Sequence, residues 1–167
     1  MTRALELRTM FDRGFAVAEL ASDAACSDFV CLRIGGEPAA IGLGDIASLH
    51  ADLRVVPLPT PAAELLGVTA IRAQVVPIYD LSVALGGAPT GAARWTVVAR
   101  GGAAGFGFAG FDGHARIPDA AIAIAAQRGH VRGQFALGGR PHSILDLGSV
   151  LAAIGSRWRH RSTSKEH

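Results

Sequence analysis

The spacing of hydrophobic and polar positions changes near residue 28. Over residues 4–16, Leu5, Leu7, Met10, Phe11 and Phe15 recur at roughly helical intervals between Glu6, Arg8, Asp12 and Arg13. That spacing predicts an amphipathic N-terminal helix, weakened at its end by Gly14. The small residues from Ala18 to Ser27 predict a linker. Beyond it the apolar runs become short and dense, and a paired-glycine pattern recurs three times. Asp28–Ile34 meets Gly35-Gly36 and then Ala39–Leu43. Arg94–Arg100 meets Gly101-Gly102 and then Phe106–Phe108. Val131–Leu137 meets Gly138-Gly139 and then Arg140–Leu145. Two apolar runs around Gly-Gly predict a β-hairpin, because the favoured two-residue turns need positive φ. Leu53–Val56, Val68–Ile71 and Gln74–Tyr79 are further strand candidates. Short connecting helices are predicted over Asp45–His50, Pro61–Leu65, Leu81–Leu85 and Leu147–Ile154. Many short strands punctuated by Gly and Pro predict a mostly-β barrel or sandwich.

The chain also echoes itself. Ile78-Tyr-Asp80-Leu81-Ser-Val-Ala-Leu85 and Ile144-Leu-Asp146-Leu147-Gly-Ser-Val-Leu151 both read Ile-x-Asp-Leu-x-x-x-Leu, offset by 66 positions (146 − 80). In each, a strand runs into an aspartate whose carboxylate is suited to cap the free N–H groups of a helical turn. Leucines four apart then share one helical face. Asp80 and Asp146 are therefore read as structural caps in two similar subdomains.

Composition narrows the functional classes. At 167 residues the chain has enough bulk for a core without metal or disulfide staples. Cys26 and Cys31 are expected to be free thiols. Mean hydropathy is +0.32, yet no apolar run reaches the ~18–20 residues of a membrane span, and no apolar signal segment opens the chain. A cytoplasmic protein without membrane insertion is expected. The formal net charge is +2, but Arg157–His167 carries four Arg or Lys and one Glu. The remainder is near neutral and offers no nucleic-acid footprint. Residues 157–167 are expected to form a basic, solvated, flexible tail. Trp158 between Arg157 and Arg159 motivates one alternative, a small-barrel nucleic-acid binder that uses this tail.

Motifs of catalysis are weak. Gly105-Phe-Gly107-Phe-Ala-Gly110 matches G-x-G-x-x-G, but no helical pattern follows, so strand glycines at a close approach are the better reading. The six histidines form no metal-ligand spacing, and no nucleophile elbow or phosphate loop appears. Neither cofactor nor enzymatic activity is expected.

The stretch Leu66-Gly-Val-Thr-Ala-Ile-Arg72-Ala-Gln-Val-Val-Pro-Ile-Tyr-Asp80-Leu81 resembles the G-V-x-N-L-R-G-x-V-V-P-I-x-D-L signature of the CheW family of chemotaxis coupling proteins. Phe29–Gly35, Ile41–Ile46 and Val56-Pro-Leu-Pro59 are similar to its opening elements. Gly105–Pro118 and Ile144–Leu147 resemble its second half. The resemblance implies a domain over 28–156 of two intertwined five-stranded SH3-like barrels, after the helix and linker of 1–27. It implies an adaptor that couples a chemoreceptor's cytoplasmic tip to the regulatory domain of a CheA-type histidine kinase. A hydrophobic groove between the barrels would hold the receptor helix. Carried over by position, Arg72, Ile46, Gly67 and Val68 would lie near partner contacts. The chain departs from the pattern at Ser48, Ala70, Ala73 and Ala109. Ala73 replaces a family glycine, which predicts an altered turn after Arg72.

Overall fold

The computed structural model describes residues 25–124 and 129–163. Among them ten strands, β1 (Cys26–Ile34), β2 (Glu37–Gly42), β3 (Ile46–Ala51), β4 (Leu65–Ile71), β5 (Gln74–Asp80), β6 (Trp95–Ala99), β7 (Gly105–Phe108), β8 (Gly110–Pro118), β9 (Val131–Leu137) and β10 (Arg140–Leu145), form two five-stranded sheets. Helices α1 (Leu81–Ala84) and α2 (Leu147–Thr163) follow β5 and β10. The helix expected over residues 4–16 lies outside the described residues.

The strand orders are β8-β1-β2-β10-β9 and β3-β6-β7-β5-β4. In each order one parallel pair, β2 with β10 or β7 with β5, stands among antiparallel neighbours. The 66-residue offset carries β4 onto β9 and β5 onto residues 140–146. The chain is thus two tandem repeats, β1–β5 and β6–β10, whose first hairpins have changed places. The hairpin β1–β2 pairs with the strands of the second repeat, and β6–β7 pairs with those of the first.

This exchange explains the density of the first apolar run. Val30 and Leu32 of β1 join the large core between the sheets, with Ile41, Val97, Phe106, Phe108, Leu145 and Val150. Phe29 and Cys31, on the opposite pleat, join a second cluster with Ala40, Phe135 and Ile144. A strand buried on both faces needs apolar residues at successive positions rather than alternating ones. Each large side chain in this core contributes about 1.5–3 kcal/mol.

Three expectations need correction. Neither sheet closes into a full barrel: β8 does not pair with β9, nor β3 with β4. Lone bridges from the connecting segments, Ala123 to Gln134 and Val56 to Val68, instead occupy the β9 and β4 edges. Second, the helix expected over Asp45–His50 is mostly β3, which pairs with β6 from Ile46 opposite Ala99 to Ala51 opposite Trp95. A run this short does not separate helix from strand by period. Third, Pro61–Leu65 is a turn into β4, and Leu53–Val56 provides only the Val56 bridge.

Candidate partner-binding surfaces

The β4–β5 connection is a two-residue turn made by Arg72 and Ala73. Both have positive φ, at 49° and 63°. In the second repeat the same turn is Gly138-Gly139, at 58° and 74°. The altered turn expected from Ala73 is therefore absent: register holds the tight turn against the residue type. A left-handed conformation costs a residue other than glycine about 1–2 kcal/mol. Arg72 is exposed and has no ion-pair partner among the described residues. It borders a groove of 300 Å³ floored by Ile71, Val76 and Val98 and rimmed by Ala47, Ser48, Gln74 and Gly101-Gly102. Val75, 74% exposed, lies beside it in sequence.

The other expected contact residues are placed differently. Ile46 precedes the groove residues Ala47 and Ser48 but is half-buried against the main core. Gly67 and Val68 lie under the Val56 segment. Val68 exchanges backbone hydrogen bonds with Val56 at 2.8 and 2.9 Å. Gly67 has φ of 147°, and a Cβ there would stand 2.9 Å from Pro57 Cα. The structure thus gathers Arg72 with the residues after Ile46, while Gly67 shapes backbone.

A larger groove of 740 Å³ runs between the sheets. Arg33, Ile34 and Gly35-Gly36 of the β1–β2 hairpin form one side. Ser82, Leu85 and the segment Gly87–Thr90 form the other, with Phe108, Ala109 and Gly110 also lining it. The Arg33 guanidinium is held by Asp112 at 2.9 Å. Asp80, 2% exposed, accepts hydrogen bonds at Oδ1 from the amides of Ser82 (2.9 Å) and Val83 (3.2 Å) and from the Thr90 hydroxyl (2.7 Å). Its Oδ2 accepts from the Thr90 amide at 2.8 Å. In the second repeat Asp146 Oδ1 accepts from the Ser149 amide at 3.1 Å.

Helix α2 runs through residues 157–163, the first part of the segment expected to form the basic tail, and ends at Thr163. Trp158 packs against the main core. Arg157 Nη2 donates to the Ala84 carbonyl at 3.3 Å, and its Nε lies 3.9 Å from the buried Glu64 carboxylate. These contacts turn two of the proposed base-binding side chains inward. Glu64 was not legible as a buried partner, since nothing in sequence joins it to a residue so distant.

Among the described residues no three His, Cys, Asp or Glu side chains gather as metal ligands, and no helix is long and apolar enough to cross a membrane. The glycines of β7 lie close to neighbouring parts of the chain: a Cβ on Gly105 would stand 2.7 Å from Ile78 Cδ1 of β5, and one on Gly107 2.8 Å from Ala93 Cβ. Burial, with the nearby Asp112 charge, raises the Cys31 thiol above its ordinary pKa. Burial and Glu64 raise the Tyr79 phenol likewise. Both groups sit in walls of packed strands and are held neutral.

The exchanged hairpins, two five-stranded sheets and open grooves define a double-sheet protein of interleaved repeats. The CheW-like domain family model matches residues 28–155, and the chain belongs to that family. The fold is also that of the scaffolding protein TtCheW from Thermoanaerobacter tengcongensis, with a TM-score of 0.65 at 15% sequence identity. That match covers 72% of this chain and 89% of the other. No curated protein matches the chain by sequence.

Proposed function

We propose that this protein is a non-catalytic cytoplasmic scaffold that couples chemoreceptors to a CheA-type histidine kinase. Family membership over residues 28–155 is the observation that carries the reading. The two separate grooves support it, because a bridge needs one surface for each partner. The groove between the sheets, at 740 Å³ and lined by Ile34, Leu85 and Phe108, suits the apolar face of a receptor-tip helix. The Arg72 groove suits the kinase's regulatory domain, with an exposed guanidinium beside an apolar floor. An arginine that a partner covers on binding is among the residues that most often dominate such interfaces. Linking both partners raises their effective concentration without any new chemistry.

The test is a titration of each CheA-type regulatory domain from the same cells with wild-type protein and with Arg72→Glu. The reading expects saturable binding to one kinase, weakened at least about tenfold by the charge reversal, with unchanged circular dichroism. Equal affinity of a folded Arg72→Glu variant would reject the assignment of this groove.

A further inference from the structure

Capping α1 uses only half of the hydrogen bonds that Asp80 accepts. The other two come from Thr90, ten residues further along the chain, through its hydroxyl and its amide. Helix capping does not require them. In the second repeat Asp146 accepts from the Ser149 amide at the start of α2, and the position 66 residues beyond Thr90 is Ser156, inside that helix. There the chain has no loop to hold. In the first repeat the helix stops after Ala84, and the chain must return across the molecule to β6.

The returning segment is built to be held at one point. Gly86 and Gly91 flank it, with φ of 87° and 77°. Glycines with positive φ lower the cost of bending at both ends. At its start Gly87 lies close on α1, where a Cβ would stand 2.7 Å from Ser82 Oγ. At its end Thr90 is tied to a carboxylate that is 2% exposed. A hydrogen bond made out of reach of water is stronger than one in solvent. Between these points, Ala88 and Pro89 form the wall of the inter-sheet groove that faces the β1–β2 hairpin.

We infer that Asp80, acting through Thr90, is a positioning residue that fixes segment 86–91 as the wall against which an apolar partner helix docks. This inference rests on the groove assignment in the proposed function. The clamp preorganises the wall, so a partner need not order it on binding.

Thr90→Val tests this, since it removes the hydroxyl donor and keeps the side-chain shape and the backbone amide. Thr90→Ser restores the donor. Amide hydrogen exchange over residues 86–91 is measured together with affinity for a receptor-tip helix fragment and for the kinase regulatory domain. Loss of one buried hydrogen bond is expected to speed exchange about tenfold and weaken receptor-fragment binding about five- to tenfold. Kinase-domain affinity stays at the wild-type value, the thermal midpoint falls only by the few degrees that one lost hydrogen bond costs, and Thr90→Ser recovers both exchange and receptor-fragment binding. Unchanged exchange in Thr90→Val overturns the clamp. Faster exchange with unchanged receptor affinity overturns the positioning role alone. Wild-type protein that binds no receptor fragment overturns the groove assignment itself, and so separates the two failures.

Discussion

The amide of Asp80 donates to the carbonyl of Glu64 at 2.7 Å, and the amide of its repeat counterpart Asp146 donates to the carbonyl of His130 at 2.8 Å. Glu64 and His130 are themselves 66 positions apart. The two aspartates therefore end equivalent strands and hold equivalent incoming chain. Their side chains differ, because Asp80 also holds Thr90. Asp80→Ala is expected to destabilise the protein by about 3 kcal/mol, since it strands buried donors as well as the cap. Asp146→Ala is expected to be the smaller loss, since the position equivalent to Thr90 lies inside α2 and the second repeat has no loop for Asp146 to hold. Urea unfolding of the two variants checks the order; equal losses would show that Thr90 adds nothing to stability.

Gly67 and Gly133 form a second repeat pair with unequal demands. At Gly67 a Cβ would lie 2.7 Å from the Val56 carbonyl carbon, and φ is 147°. At Gly133 a Cβ would lie 3.0 Å from the Ala123 oxygen, with no positive φ. Gly67→Ala combines a backbone clash with a conformation that side chains rarely adopt, and is expected to cost about 3–4 kcal/mol. Gly133→Ala is expected to cost about 1 kcal/mol, as the connecting segment gives by a few tenths of an ångström. Thermal denaturation of the two proteins side by side decides this.

The turn at Arg72 and Ala73 runs in the opposite direction. Ala73 holds φ of 63° where its repeat counterpart is glycine. Ala73→Gly relieves about 1–2 kcal/mol of left-handed strain and adds about 0.5–1 kcal/mol of chain entropy to the unfolded state. A net gain of about 0.5–1 kcal/mol is expected, read as a higher urea midpoint at constant slope. A lower midpoint would mean that the alanine methyl makes a stabilising contact.

Cys31 and Tyr79 contribute to the alkaline limb of stability. Their pKa values are raised in the folded protein, so the folded state holds these protons more tightly than the unfolded chain. Their contribution is complete below the unfolded values, about 8.5 for a thiol and 10 for a phenol, and is lost as pH climbs through the raised ones. Cys31→Ser is expected to flatten the fall in stability above about pH 8.5, measured by unfolding at a series of pH values. At neutral pH the partly exposed Cys26 is expected to react with iodoacetamide well before the buried Cys31.

Much of this fold was legible in the residues. The Gly-Gly pairs marked three hairpins, and the Ile-x-Asp-Leu echo marked the strand-to-helix junctions of both repeats. The hairpin exchange was not legible, because the apolar pattern of β1 states that both faces are buried but not by which strands. The strand β3 carries a helical spacing, Ile46, Leu49 and His50 at i, i+3 and i+4, over a run too short for its period to decide the element. Of the candidate site, Arg72 was found by its motif alone. Thr90 carried no signal: it sits in a Gly- and Pro-containing loop, and its bond to Asp80 depends on how the chain returns to β6. Trp158 and Arg157 looked like a solvated tail because helix propensity ends near Ile154 in pattern, whereas packing on the core carries α2 further.

The central claim is that one chain bridges two partners, and bridging has its own concentration signature. Immobilised receptor tips are mixed with a fixed amount of kinase, and captured kinase is measured as this protein is titrated in. A two-surface scaffold gives capture that rises and then falls once excess scaffold occupies each partner separately. Capture that does not respond to the protein, or that rises to a plateau without declining, would contradict a two-surface scaffold.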